Sequence, residues 1–443
     1  MKDILIHKIF ILLLCLISPA FYFACSAEGD FLNPGESDPF DIGRQLLRDH
    51  DVTGANEFYT AKYKLNPSSG DAAVGFAFTS FLLLPYHPSV TALIKHIGGS
   101  RPLNANRDII FERNGLISLL AQGTPFEDQG EFSGISSLLL PDLPWTDTQI
   151  DDPDFLGTIP TELNTIADDL IAVSDALVPI IDAMEGAVKD RRFSRFEMPG
   201  EVFFNDNLTL SINRADLAFA SSLLHGLRGA IRFIGAYDHP YKVSDFGEKW
   251  KTITPQDPDF KSGYEADDYL IEFIDARILR TIRNATHFAL ARKEARSMLE
   301  NMRNALEIAK EEPRFGALSW NQGRSETIVK ATTFLHALES SLDNPTQLPF
   351  ITPTVTLDLS LLFEDGKTLD RQTPWLSRSD RPGDYFLNYT LNPEALDLFL
   401  NGVLSPSLSE IEDGDFQEAD NFSELSSVLF GNINDDFNNS FGN

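Results

Sequence analysis

Cysteine is nearly missing from this chain of 443 residues: Cys15 and Cys25 are the two it has, both near the amino terminus. Cleavage before Cys25 would leave one cysteine in the remaining protein. An intrachain disulfide, a multi-thiolate metal site and a cysteine nucleophile in the body are then excluded. Positive charge is also scarce. Lys and Arg number 36 against 66 Asp and Glu, a formal net charge of −30, and no Lys or Arg follows Arg381. Affinity for nucleic acid depends on cations that neutralise phosphates, so nucleic acid is not an expected partner and the acidity is read as serving solubility.

Catalytic spacings are lacking too. None of His50, His87, His96, His225, His239, His287 and His336 lies three or four residues from another, which removes the paired imidazoles of a zinc-protease helix. Gly134, Ser136 and Ser137 come nearest to a nucleophile elbow and lack its second glycine. Gly366-Lys367-Thr368 looks like the end of a phosphate-binding loop, but Leu361 stands where its first glycine would be. Neither a cofactor nor a metal is expected. His225, beside Gly226, is the best single candidate for a functional histidine. Asp268, Glu272 and Asp275 share a helical face and offer either hard oxygen ligands or a solvated face paired with Arg277 and Arg280. Glu412, Asp413, Asp415, Glu418 and Asp420 match a calcium loop in composition but not in order, and read as a solvated acidic linker.

The amino terminus is where the sequence is most explicit. Lys2 and Lys8 give a positive start, an apolar run covers 9–23, and Ala24 immediately precedes Cys25. This order resembles a bacterial lipoprotein signal peptide. The resemblance implies cleavage before Cys25, diacylglycerol on its thiol and acylation of the new amino terminus. Ser26 stands where inner-membrane lipoproteins often carry Asp, which implies an outer-membrane destination in the cell envelope. The alternative is an uncleaved membrane anchor, since the run is near the shortest that spans a bilayer, about 17 residues.

Beyond a short tether, Gly43 and Leu46 fall on a first helix, Ala55 and Tyr59 on a second, Pro67 closes the unit, and Ala77 supplies a small residue on the next helix. These positions resemble the register of a tetratricopeptide repeat, which implies two helices stacked through small side chains. Pro85 and Pro88 interrupt a second unit. An array needs about three units to bury its faces, so other structure is expected to cap the hairpin.

Helical periodicity dominates the middle. Leu163, Ile166, Leu170, Val173, Leu177, Ile180, Met184 and Val188 form one apolar stripe. Leu217, Ala220, Leu224, Leu227, Ile231 and Ile234 form another, with Ala218, Gly226 and Gly229 set for close approach. Between them, 193–212 alternates with period two and predicts a β-ribbon. Ile271, Ile274, Ile278, Ile282 and Ala285 predict the start of a long helix, followed by helices through Leu299 to Ala309 and Ile328 to Leu338. Val355, Leu357, Leu359 and Leu361 predict a strand before the turn at Asp365-Gly366, and 394–404 a short helix.

With 42% hydrophobic residues the chain can bury one large or two ordinary cores. The expected fold is mainly α: an antiparallel helical bundle with repeat-like helices, small β-ribbon insertions and a loop-rich acidic carboxyl-terminal region. The expected segments are a signal peptide at 1–24, a tether at 25–36 and a repeat-like segment at 37–100. A bundle at 101–344, a strand- and loop-rich region at 345–404 and an acidic tail at 405–443 follow. The expected function is a membrane-anchored, non-enzymatic scaffold that binds another envelope protein, with Cys25 as the lipid-attachment site. A small-ligand-binding lipoprotein subunit of a transport system and a carboxylate-dependent hydrolase are the alternatives.

Overall fold

Local capping chemistry sets the first helices. Helix α1 covers Asp41–Arg48, and α2 covers Val52–Leu65, started by Asp51, whose carboxylate accepts the Gly54 N–H at 3.0 Å. Ser69 caps α3, Gly70–Leu82, by accepting from the Ala72 N–H. Pro85 and Pro88 stop that helix from continuing: a 3₁₀ turn spans Leu84–Tyr86, and α4, Pro88–His96, begins with proline in its first turn. The computed structural model describes residues 39–49, 51–97, 158–199, 209–245, 248, 279–311, 325–349, 354–364, 366–369, 373–374, 376–379, 388–391 and 393–405. These residues are mainly α-helical with short antiparallel strand pairs.

The stripe through 163–188 belongs to two helices, α5 at Leu163–Ala176 and α6 at Val178–Lys189. Pro179 provides the break, because it lacks the N–H that a continuous helix would need. Strands β1, Arg195–Pro199, and β2, Thr209–Asn213, form the predicted ribbon, with Arg195 opposite Asn213 and Pro199 opposite Thr209. Val202, Phe204 and Leu208, also assigned to the ribbon, lie outside the described residues. Helix α7 spans Arg214–Gly235. Its apolar stripe is buried from Leu217 to Ile231, whereas Ile234 is exposed.

The segment expected as one bundle over 101–344 is divided. Described residues 39–231 and 239–248 form one compact unit; 232–238 and those from 279 onward belong to a second. In the first unit α2 packs between α1 and α3, and α3 packs in turn on α6, while α4 packs on α5. Thus α6, from a hundred residues downstream, covers the face of α3 that a second repeat would have covered. Helix α3 has buried residues nearly all round, from Ala72 and Val74 to Phe78 and Phe81, as a central helix requires. Its polar Thr79 is satisfied: the hydroxyl donates to the Gly75 carbonyl at 2.7 Å and accepts from Asn56 Nδ2 at 3.0 Å.

Asp190 joins α3 to α6. Its Oδ2 accepts the Gly70 N–H at 3.2 Å and its Oδ1 accepts the Arg192 N–H at 3.0 Å. The Arg192 N–H bond, followed by that of Gly70 and the Arg192 guanidinium, holds the Asp190 carboxyl below the ordinary aspartate range. A carboxyl depressed in the folded state stabilises above its unfolded pKa and loses that contribution as pH falls through the folded value. Asp190→Asn should therefore cost about 1 kcal/mol near neutrality. The difference from the parent should shrink below about pH 4. Urea unfolding of both chains at pH 7 and pH 3 measures it.

In the second unit, α8, Thr286–Glu311, and α9, Ser325–Ser341, run antiparallel. Leu299, Leu306, Ile328, Ala331, Leu335 and Leu342 make their shared core, and Arg303 bonds Glu339 at 2.6 Å across it. Arg296, at 2.6 Å, and Arg292 both bond the Asp343 carboxylate. The helix predicted to begin near Ile271 is corrected where it is described: 279–285 is not helical, and 271–278 lies outside the described residues. Leu279 has φ +56°, Ile282 bridges Tyr237, and Asn284 Oδ1 accepts from both the N–H and the hydroxyl of Thr286, so α8 starts there.

The strand predicted over Val355 to Leu361 is also shorter. Strand β4 is Thr356–Leu357, between β3, Thr346–Gln347, and β7, Leu404–Ser405. Asp358 ends it by accepting the Ser360 N–H at 3.2 Å, which starts the one-turn α10, Ser360–Phe363. Strands β5, Leu376–Ser379, and β6, Asn388–Leu391, pair antiparallel. Helix α11, Pro393–Phe399, ends before the predicted Leu404, and Gly402 at φ +80° turns the chain into β7.

Candidate functional site: a polar seam on a buried helix

Helix α7 opens with a reciprocal cap. The Asp216 N–H donates to Asn213 Oδ1 at 2.9 Å, and the Asn213 N–H donates to Asp216 Oδ2 at 3.0 Å. Both side chains are buried. Farther along, Ser221, His225 and Arg228 recur at steps of four and three, which places them on one helical face. All three are buried.

Two helices answer that face. Glu185 on α6 accepts from His225 Nε2 at 3.0 Å and from the Ser221 hydroxyl at 3.5 Å, both on Oε1. Because a carboxylate only accepts, His225 carries its proton on Nε2 in this contact. Arg228 Nε donates to the Ser174 carbonyl at 3.1 Å on α5, and its Nη2 reaches Asp175 Oδ1 at 3.5 Å. Near the start of α7, Arg214 Nε donates to the Val188 carbonyl at 2.9 Å.

The order of groups decides the chemistry. In acyl transfer an imidazole stands between hydroxyl and carboxylate and takes the hydroxyl proton. Here the carboxylate stands between hydroxyl and imidazole, so His225 cannot deprotonate Ser221 through this contact. The seam instead fixes how α7 registers on α5 and α6. Each partner is matched, and removing one would leave a buried polar group unpaired.

The other described histidines are dispersed. His87 caps α4 through the Ser89 N–H, and His96 Nδ1 meets Asp169 Oδ2 at 2.5 Å between α4 and α5. The His239 N–H donates to Asn164 Oδ1, His287 meets Arg232, and His336 meets Arg303. Among the described residues, no group of three or more His, Cys, Asp or Glu could hold a metal ion. Nothing local flags the His96–Asp169 or His225–Glu185 pairs in the sequence, because their members lie 73 and 40 positions apart.

Gly366-Lys367-Thr368 serves packing. Gly366 has φ +69° and lies on the Phe288 ring, the Lys367 carbonyl accepts the Tyr237 hydroxyl at 2.6 Å, and Lys367 Nζ donates to the Asn401 carbonyl at 3.0 Å. Burial raises the Tyr237 phenol well above its ordinary range. Arg280 Nη2 donates to the Thr373 carbonyl at 2.8 Å. Asp268, Glu272, Asp275, Arg277, the Gly134 to Ser137 segment, the tail carboxylates and Cys25 lie outside the described residues.

The repeat-like positions meet around one ring. Tyr59 is fully buried; a Cβ added to Gly43 would come within 2.5 Å of its Cζ, and one added to Gly75 would overlap the ring from α3. Phe196 of β1 closes edge-on at 5.9 Å between centroids, and Phe40 stacks at 6.3 Å. Ala55 and Ala77 are buried, Pro67 is in the turn after α2, and Leu46 is half-buried beside the fully buried Leu47. Lys62, on the outer side of α2, lies over the Phe58 ring at 5.3 Å. Gly75 was not singled out in the sequence; its step of two before Ala77 carried no signal of the ring it accommodates.

No protein-family model, no curated protein and no solved structure matches this chain. Among the described residues, no helix is long and apolar enough to cross a membrane.

Proposed function

We propose that this chain is a lipid-anchored, non-enzymatic helical scaffold of the bacterial envelope that binds another envelope protein, with Cys25 as its acylation site. The single observation that carries the reading is the order of Lys2, Lys8, the apolar run 9–23, Ala24 and Cys25. Support also comes from the use made of the conspicuous side chains. Gly43, Tyr59 and the Ser221, His225, Glu185 seam are spent on helix packing, which builds a rigid layer whose outer faces are left to a partner.

Metabolic labelling with a fatty acid tests the anchor. The parent should incorporate label and fractionate with membranes, and Cys25→Ala should lose both; equal labelling of the two would sink the anchor. Chemical cross-linking in whole cells then tests the scaffold. The expected result is a discrete adduct with an envelope protein that is absent from Cys25→Ala cells.

A further inference from the structure

We infer that one end of the first unit, where the chain enters from Cys25, is a membrane-facing surface that rests on anionic phospholipid headgroups; this builds on the lipid-anchor reading above. Four elements meet at that end. Helix α2 finishes at Leu65 and α3 starts at Gly70, so the turn between them lies there. Asp190, just after α6, bonds the Gly70 N–H, which brings the carboxyl end of α6 alongside. The first turn of α1 points toward the same end, level with Tyr59 and about 9 Å short of Leu65, because Gly43 faces Tyr59 and the two helices are antiparallel through a short turn.

This end joins exposed apolar side chains to a cluster of cations. Leu65 is 83% exposed and Ile42 63%, the two most exposed large apolar side chains described. The last turn of α2 carries Lys62 and Lys64, the last turn of α6 Lys189, and the following loop Arg191 and Arg192; Lys189 pairs with Glu185 at 3.7 Å and Arg192 with Asp190 at 3.3 Å. The described carboxylates at the same end are Asp41, Asp71, Asp190 and Glu185, the last paired with Lys189. Asp41 is paired with Arg44 at 2.7 Å, and Asp190 is occupied by Gly70 and Arg192. The opposite end of the α1–α2 hairpin presents Arg48 with Asp49 and Asp51.

A chain with a net charge of −30 would be repelled by an anionic leaflet if it approached at random. Presenting Lys64 and Arg191 reverses that locally, at about fivefold in partitioning per cation near the surface. Exposed Leu65 and Ile42 add apolar area that the interface removes from water. Pro39, the first described residue, follows Cys25 by fourteen positions. An extended chain of that length reaches at most about 50 Å, which lets this end touch the bilayer that takes the lipid.

The mature chain offers a clean test, since cleavage removes Cys15 and acylation consumes the Cys25 thiol, leaving an introduced cysteine as the one free thiol. Ser68→Cys, in the α2–α3 turn, and Asp49→Cys, at the opposite end, are labelled with a fluorophore. The acylated proteins are reconstituted into phosphatidylethanolamine–phosphatidylglycerol vesicles containing a headgroup nitroxide lipid. Quenching at Ser68→Cys should exceed that at Asp49→Cys by about fivefold or more. The excess should fall in phosphatidylcholine vesicles and when Lys64→Glu and Arg191→Glu are added. Equal quenching at both sites, or an excess indifferent to lipid charge and to the reversals, would overturn the inference. Fatty-acid label on Cys25 is read from the same preparations. Unlabelled protein removes the anchor and this surface together, whereas labelled protein with equal quenching removes the surface alone.

Discussion

Ala55→Arg should destabilise the first unit by about 3–5 kcal/mol, through overpacking and an unpaired charge together. Ala55 has no solvent exposure on α2, the helix packed by α1 on one side and α3 on another. Arginine there must either force the helices apart or leave a guanidinium buried without a carboxylate. Neither outcome is relieved by the long side chain reaching water, because Leu47, Val52 and Tyr59 are fully buried in the same unit. A companion substitution separates this from a general effect of charge on α2. Lys62→Glu removes a cation from the Phe58 ring at a site on the outer side of the helix, worth about 0.5 kcal/mol. Thermal unfolding followed by helical circular dichroism compares the two. If Ala55→Arg unfolds with the parent and Lys62→Glu does not, the assignment of the inner and outer faces of α2 is wrong.

Periodicity made the helices legible, because burial of one face leaves a pattern in apolar residues. It could not reveal where a helix stops when the stop is a single residue: Pro179 divides one stripe between α5 and α6, and Asn284 delays α8 to Thr286. Nor could it say which helix covers α3. The next helix in sequence, α4, packs on α5, and the covering helix is α6, tied by Asp190 to Gly70 over 120 positions. The candidate seam was legible in one member. His225 stood out beside Gly226, but nothing in the sequence marks Glu185 or Arg228, and only packing brings Glu185 between Ser221 and His225. Short strands were overestimated for the same reason. Val355 to Leu361 alternates as a strand should, yet Asp358 supplies a local cap that competes with the ladder and wins after Leu357.

Gly366→Ala should destabilise the second unit by about 2–4 kcal/mol, the sum of two separable costs. The first is conformational. At φ +69° an L-residue pays about 1–2 kcal/mol for the close approach of its Cβ to the backbone carbonyl. The second is steric: the added methyl would overlap the Phe288 ring and come within 2.9 Å of Ile282 Cδ1. Phe288 cannot readily give way, being fully buried and set edge-on against Phe233 and Tyr237, at 5.5 and 5.3 Å between centroids. The Tyr237 hydroxyl in turn holds the Lys367 carbonyl, so a shift of the loop at 366 would strain a buried hydrogen bond as well. Phe288→Leu removes the ring from beneath Gly366 and is itself costly. In a double-mutant cycle, however, Gly366→Ala should cost less on the Phe288→Leu background, by the steric part alone, with the conformational part remaining. Equal costs on both backgrounds would show that the methyl never meets the ring, and that Gly366 is needed for its backbone angle only.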